Sequence, residues 1–440
     1  MTGAPRPLAG LSTRIAWRLM PLLLTSYVVA YVDRINVGFA KLHLRDVLGV
    51  DDRVFGSVYG VGAGLFFLGY FLFEVPSNLI MQRVGARVWI ARIMVVWGVV
   101  SGAMVFVGSA SGFYAMRFLL GVAEAGFFPG VLLYLTAWFP ARERAKTVAT
   151  FAVGGLVAGI VGSPLSGAIL GLDGVAGLAG WQWLFILEAA PAIVLGLVVF
   201  FVLPDGPEDV AWMSAEEKRW LREHLDADAL AGGGTTSTLS AAFANARVWL
   251  LCLLYFLLNV GGYGYEMWLP TIVKGFSGQG DGIVGLINAV PYAAAAVVML
   301  WTGRHSDRTG DRRGHVAASA FVSAAGFGLA GFLHNPWLAM AALTVAFVGL
   351  KSAMGPFWAM GTTLLTGTAA AAGIAFINSV GNLGGFAGPA LVGVIRDRTG
   401  SDTTALYALG AALLLMGLVA LFVPTAFRED SDASTSVLRH

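Results

Sequence analysis

The chain has 440 residues, of which 57% are hydrophobic and only 12% charged, with a formal net charge of +2. A soluble domain carries about 25% charged residues, so the composition excludes an ordinary soluble enzyme and points to a protein that crosses a membrane many times. A single cysteine, Cys252, excludes an intrachain disulfide, and the six histidines form no cluster. No metal, cofactor or nucleic-acid partner is therefore expected.

Arg6, Arg14 and Arg18 precede the first apolar run like the front of a signal peptide. That run continues to full membrane-spanning length without a small-residue cleavage site, so it is expected to be a retained first helix. It contains "YVVAYVDRINVGFA" (27–40), which sets Asp33 and Arg34 side by side at a depth where charge is costly. A span needs about 20 mainly apolar residues. Stretches that qualify lie at 16–40, 54–80, 88–109, 113–138, 146–171, 181–203, 247–273, 282–303, 315–333, 336–365, 371–395 and 404–425. They predict an all-α membrane protein of twelve spans. The longest polar stretch separates an amino-terminal half (1–203) from a carboxy-terminal half (247–427). It is read as a cytoplasmic linker (204–246), and residues 428–440 as a cytoplasmic tail. Within the linker, Ser214 and Glu217 have capping-box spacing for a short surface helix, and "AGGGTTSTLS" (231–240) reads as flexible. With both termini inside, Lys and Arg divide eighteen to six in favour of the cytoplasmic segments. Arg34, Arg92, Arg117 and Lys351 stay within spans.

The halves repeat. "NLIMQRVGAR" (78–87) aligns with "GRHSDRTGDR" (303–312) at an offset of 225, and Gly162 in the fifth span aligns with Gly388 in the eleventh at 226. Two matches at nearly one offset point to duplication, as in transporters with parallel repeats. The fifth span also carries Gly155, Gly159, Ser163, Gly167 and Gly171 at intervals of four. Such a stripe lets a neighbouring helix approach closely.

"GRHSDRTGDRR" (303–313) resembles the loop motif of the major facilitator superfamily, with Gly303, Asp307, Arg308 and Gly310 in the matching places. The Asp307 carboxylate is expected to pair with loop arginines or cap a helix, and so to act as a cytoplasmic gate. The amino-half copy has Gln82 where an Asp is expected, so its gate should be weaker or differently wired. Further stretches resemble the anion:cation symporter family within that superfamily, and inside it the bacterial tartrate transporters. They are "YVDRINVGFA" (31–40), "GYFLFEVPSNLIMQRVGAR" (69–87), "RFLLGVAEAGFFPGVLLYLTAWFP" (117–140), "GWQWLFILEAAPA" (180–192) and "FINSVGNLGGFAGP" (376–389). The resemblance implies proton-coupled uptake of an organic carboxylate, tartrate-like or a sugar acid, by alternating access. It implies a multi-pass protein of the bacterial inner membrane that works as a monomer.

The resemblance also places the first and fourth spans, and the seventh and tenth, around a central cavity. The first then contributes Asp33 and Arg34. The fourth contributes Arg117 and Glu124, seven residues apart and nearly on one face. Arg34 is expected to bind the substrate carboxylate through its planar fork. Asp33 and Glu124, released from their cations, would take protons. Arg117 either holds Glu124 or touches substrate. Tyr31, Tyr70 and Asn382 match family positions that contact substrate. Asn378 and Trp358 are candidates beside them, as is a stripe of Asn259, Tyr263 and Glu266 on the seventh span. Glu74 and Glu188 are expected near helix ends or in local pairs. Lys351 is expected to snorkel to one surface, the alternative being a positive charge in the cavity. Rival readings are an anion exchanger or exporter of the same fold and, more remotely, a substrate sensor.

Overall fold

The computed structural model describes residues 10–231, 245–364 and 370–423. Arg6, most of the Gly- and Thr-rich part of the linker and the expected tail lie outside them. The described residues form helices and no strand. The first six spans are α1 (Leu11–Ile35) with α2 (Val37–Leu48), α3 (Asp52–Val84), α4 (Ala86–Gly102), α5 (Ala110–Glu124) with α6 (Phe127–Thr136), α7 (Ala141–Ala152) with α8 (Gly154–Leu170), and α9 (Gly180–Val202). A surface helix, α10 (Ala215–Ala231), follows. The last six are α11 (Ala246–Glu266) with α12 (Leu269–Ser277), α13 (Asp281–Thr309), α14 (Arg312–Phe332), α15 (Pro336–Leu364), α16 (Ala370–Asn382) with α17 (Gly384–Thr399), and α18 (Asp402–Leu421). Eleven of these segments are long and apolar enough to cross a membrane. The remaining one, α16–α17, is less apolar because it holds Asn378, Asn382 and six glycines between 371 and 395.

Some spans are broken near their middle, and the sequence supplies reasons. Pro270 has no N–H for the Glu266 carbonyl four residues back, and its ring crowds that carbonyl, so α11 ends at Glu266. Pro129 stands in the same relation to Ala125. There the chain turns extended, then left-handed at Gly126 (φ 89°), so α5 ends at Glu124. The first span is longer than expected and runs on to Leu48. Lys41 therefore lies buried in the bundle, not in a loop, with its Nζ 3.4 Å from the centre of the Trp268 ring.

The first and last six spans meet along two seams. In one, the glycine face of α3 packs on α17: a Cβ on Gly60 would come within 2.3 Å of the Pro389 carbonyl oxygen, and one on Gly393 within 2.1 Å of the Gly56 carbonyl oxygen. In the other, the stripe on α8 packs on α13. A Cβ on Gly167 would meet the Asp281 carbonyl oxygen at 2.4 Å, one on Gly285 the Ser163 carbonyl oxygen at 2.4 Å, and one on Gly159 the Tyr292 ring at 2.0 Å. No side chain fits in such gaps, so small residues are what allow the approach. Both seams run from the end of the bundle opposite α10 to its middle.

At the α10 end, Ser214 and Glu217 form the expected capping box: the Ser214 N–H donates to Glu217 Oε2 at 2.8 Å, and the Glu217 N–H to Ser214 Oγ at 3.2 Å. Glu217 also pairs with Arg14, and Trp212 lies under Arg18, whose Cζ is 4.4 Å from the ring centre. The linker helix is thereby tied to the start of the first span. The Ser214 N–H, and after it Arg14, hold the Glu217 carboxyl below its ordinary range.

Candidate substrate and proton site

Arg34 lies in the last turn of α1, and Glu124 is the last residue of α5. Arg34 Nη2 donates to Glu124 Oε1, an ion pair whose carboxylate is fully buried. Three rings surround the guanidinium, with their centres 5.1 Å (Phe66), 5.6 Å (Tyr70) and 5.9 Å (Tyr31) from Cζ. Arg34 Nη1 also donates to the Tyr263 hydroxyl, on α11, at 3.4 Å. Among the described residues, Arg34 Nε and Glu124 Oε2 have no hydrogen-bond partner. A buried pair left partly unsatisfied is poorly compensated for its lost hydration.

A second ion pair lies beside it. Lys351 Nζ is 2.9 Å from Glu266 Oε1 and donates to the Tyr31 hydroxyl at 3.3 Å. The Tyr31 hydroxyl in turn reaches both Glu266 oxygens at 3.1 Å. The expectation that Lys351 snorkels is thus corrected. Glu266, three residues after Tyr263 on the same face, offers an acceptor within the bundle, and a buried ion pair replaces the path to a surface. Tyr31 reaches from the first six spans to the carboxylate of the last six, while Tyr263 reaches back to the guanidinium of the first. The signal in the sequence was the apolar setting of Lys351 itself; its partner could not be read because they stand 85 positions apart.

Asp33 and Arg117 do not join the ion pair. Adjacent helical residues point about 100° apart, and Asp33 is turned toward α4, where it accepts from Ser101 Oγ and, at 3.4 Å, from Asn36 Nδ2. Its Oδ2 is unpartnered. Arg117 is fully buried and donates through Nη2 to the Ala63 carbonyl at 3.2 Å, with its Cζ 5.2 Å from the Phe66 ring centre. It makes no ion pair with Glu124, whose ion-pair partner among the described residues is Arg34. Tyr70 is buried beside Arg34. Trp358 packs edge-on against Tyr255 with ring centres 5.0 Å apart, and Asn382 is half-buried just before the break between α16 and α17. Asn259 donates to the Gly381 carbonyl at 3.0 Å and so braces that same break.

Glu74 and Glu188 are not near helix ends. Glu188 is buried in mid-α9 and accepts from Ser166 Oγ at 2.7 Å. Glu74 is buried on α3 and accepts from Asn378 Nδ2 and Ser379 Oγ, both at 2.8 Å. Asn378 is therefore engaged in a contact between the first and last six spans, on the α10 side of the ion pairs.

The two loops of the repeated motif are wired differently. Asp307 is exposed and pairs with Arg312 at 2.6 Å within its own loop, while Gly310 ends α13 with φ 70°. Gly303 lies inside α13, and Arg308 is exposed in its last turn. In the other loop Gln82 leaves the acid missing, and Asp205, from beyond α9, supplies it: Arg87 Nε lies 3.2 Å from Asp205 Oδ2. Among the described residues no group of acidic, His or Cys side chains could hold a metal.

The Major Facilitator Superfamily model matches residues 23–389. The chain belongs to the major facilitator superfamily. An Agrobacterium vitis protein named "Putative tartrate transporter" is 48% identical over 423 residues, covering 96% of this chain and 93% of its own length. The "Quinolone resistance transporter" of Acinetobacter baumannii is 42% identical over 422 residues, 96% of each chain. The crystal structure of a bacterial homologue of the human lysosomal transporter Spinster, inward-facing and occupied, superposes with a TM-score of 0.76 at 14% identity, over 97% of this chain and 98% of that one. At that identity the likeness concerns the fold. This major facilitator protein is a multi-span membrane transporter of small organic solutes and not an enzyme.

Proposed function

We propose that the protein imports an organic carboxylate together with protons by alternating access between its two six-span halves. It does so across the inner membrane, as a monomer with both termini in the cytoplasm. The observation that carries this reading is the Arg34–Glu124 pair, buried in the middle of the bundle at the ends of two half-helices, with an unsatisfied atom on each partner. Polar sites at broken helices near the bilayer midplane are where carriers of this repeat type hold their cargo. An incoming carboxylate takes the guanidinium fork, which binds such groups bidentately. Glu124 then stands in a low dielectric without its cation, and a carboxylate so placed favours its protonated form. Anion and proton entry become linked in this way. Asp33, buried one residue away and in no ion pair among the described residues, is the second proton acceptor in this scheme. Tyr31, Tyr70, Arg117, Trp358, Asn378 and Asn382 complete the binding region.

In this orientation the glycine seams close the periplasmic side. The 303–313 loop, with Gly303, Asp307, Arg308 and Gly310, serves the cytoplasmic gate together with the Glu74–Asn378 contact. A thermal-shift screen of the purified protein against tartrate, aldonates, aldarates and aromatic acids tests the cargo class, since a ligand of the folded state raises its apparent stability. Counterflow in proteoliposomes, with and without a pH gradient, tests the coupling: symport predicts accumulation only under the gradient, and pure exchange predicts none.

A further inference from the structure

We propose that the Lys351–Glu266 pair is a second carboxylate-binding locus, so that the transported anion is a dicarboxylate with one terminal carboxylate on Arg34 and the other on Lys351. The inference rests on the reading of Arg34 as a carboxylate ligand and adds a position that the first pair does not require. Among the described residues each cation pairs with one buried carboxylate, Arg34 with Glu124 and Lys351 with Glu266. The Glu266 carboxylate is as deeply enclosed as Glu124, its side chain only 1% exposed, whereas Lys351 retains 14% and Arg34 11%. The cations, not their counter-ions, are thus the groups that remain open to an entering anion.

Both cations flank one side chain. Arg34 Cζ lies 5.9 Å and Lys351 Nζ 5.7 Å from the Tyr31 ring centre. A short diacid lying along that ring reaches both. The charge balance favours the same conclusion: a monoanion would displace one internal carboxylate and leave the other pair as a buried ion pair with no part in binding. Such a pair is weak evidence for stability, because hydrophobic residues of similar volume often do as well or better. The two cations also differ in kind. Arg presents a planar fork that fixes a carboxylate's orientation, while Lys is a compact point charge that tolerates several. The substrate would therefore be oriented by its Arg34 end and measured for length and charge by its Lys351 end.

The test uses pairs of acids that differ in one terminus: tartrate against threonate, and galactarate against galactonate, where a hydroxymethyl replaces the second carboxylate. Binding to the full chain in detergent is measured by calorimetry. The expected result is that, in at least one pair, the diacid binds roughly tenfold more tightly or better, a charge-assisted contact being the difference. Lys351→Gln should abolish the diacid's advantage, bringing the ratio of the two affinities within each pair to about one. Lys351→Arg, which keeps the charge, should retain the preference, and Arg34→Lys should weaken both members. If the monoacids bind wild type as well as the diacids, or if Lys351→Gln keeps the preference, the second locus is overturned while the carboxylate reading stands. If no acid of either kind binds, the carboxylate reading falls and the second locus with it. Should Lys351→Gln fail to fold, the wild-type ratio within each pair decides the matter.

Discussion

Spans 1 and 4 and spans 7 and 10 hold equivalent places in the two six-span halves, yet they carry their charges the other way round. In the first half the cation, Arg34, is on span 1 and the carboxylate, Glu124, on span 4. In the second the carboxylate, Glu266, is on span 7 and the cation, Lys351, on span 10. Even the spacing repeats: Tyr31 precedes Arg34 by three residues, and Tyr263 precedes Glu266 by three. The loops diverge in a similar way, with the acid inside the loop at Asp307 and borrowed from Asp205 where Gln82 stands. Glycine seams, loop glycines and a Tyr one turn before a charge recur in both halves, while the charges themselves differ in place and sign. The two ion pairs are thus pseudo-symmetric in place and asymmetric in chemistry, and under the proposed function they would give a cargo one way to lie.

The largest effect is expected at Glu124. If the first half couples protons, Glu124→Gln, a permanent mimic of the protonated acid, should still bind and exchange substrate in proteoliposomes but lose all accumulation under an imposed pH gradient. Wild-type accumulation by this variant would make the first pair structural, no different from an inert ion pair. Next in size is the fork. Arg34→Lys gives the first half the point charge of the second, and carboxylate affinity should fall roughly tenfold or more while folding survives. Unchanged binding in calorimetry would remove Arg34 from the site.

A smaller effect is expected where the two halves pack at the seams. Gly285→Leu drives a side chain against the Ser163 carbonyl. It should cost about 1–3 kcal/mol as overpacking, read as a lower Tm, and should widen label distances between α8 and α13. Unchanged distances would show that this seam does not hold the end closed. The smallest effect is expected at the linker, outside the membrane. The Glu217 carboxyl is held below its ordinary value, so its contribution is present above the unfolded value of about 4.3 and is lost as pH falls through the lower folded one. Glu217→Gln should therefore change stability by no more than about 1 kcal/mol at neutral pH. The difference from wild type should vanish in acid. A difference that persists at pH 3 would point to packing and away from charge.

Features that depend on composition and on short spacing could be read from the chain. Twelve apolar stretches, the capping box at Ser214 and Glu217, the small-residue stripe on the fifth span and the loop glycines each follow from residues within a few turns of one another. Arg34 and Glu124 were legible as buried charges in need of partners because charge in an apolar run is costly wherever its partner lies. Tertiary structure alone decided the pairings. Asp33 and Arg34 are neighbours in the chain but point about 100° apart, so one faces Ser101 and the other Glu124. Lys351 could be read as a surface-seeking lysine until folding set Glu266 2.9 Å from it. Glu74 gained Asn378 from 304 residues away. Local sequence sets where a charge is buried; which opposite charge compensates it depends on how the helices pack, because that contact is made between segments whose separation in the chain carries no information about their separation in space.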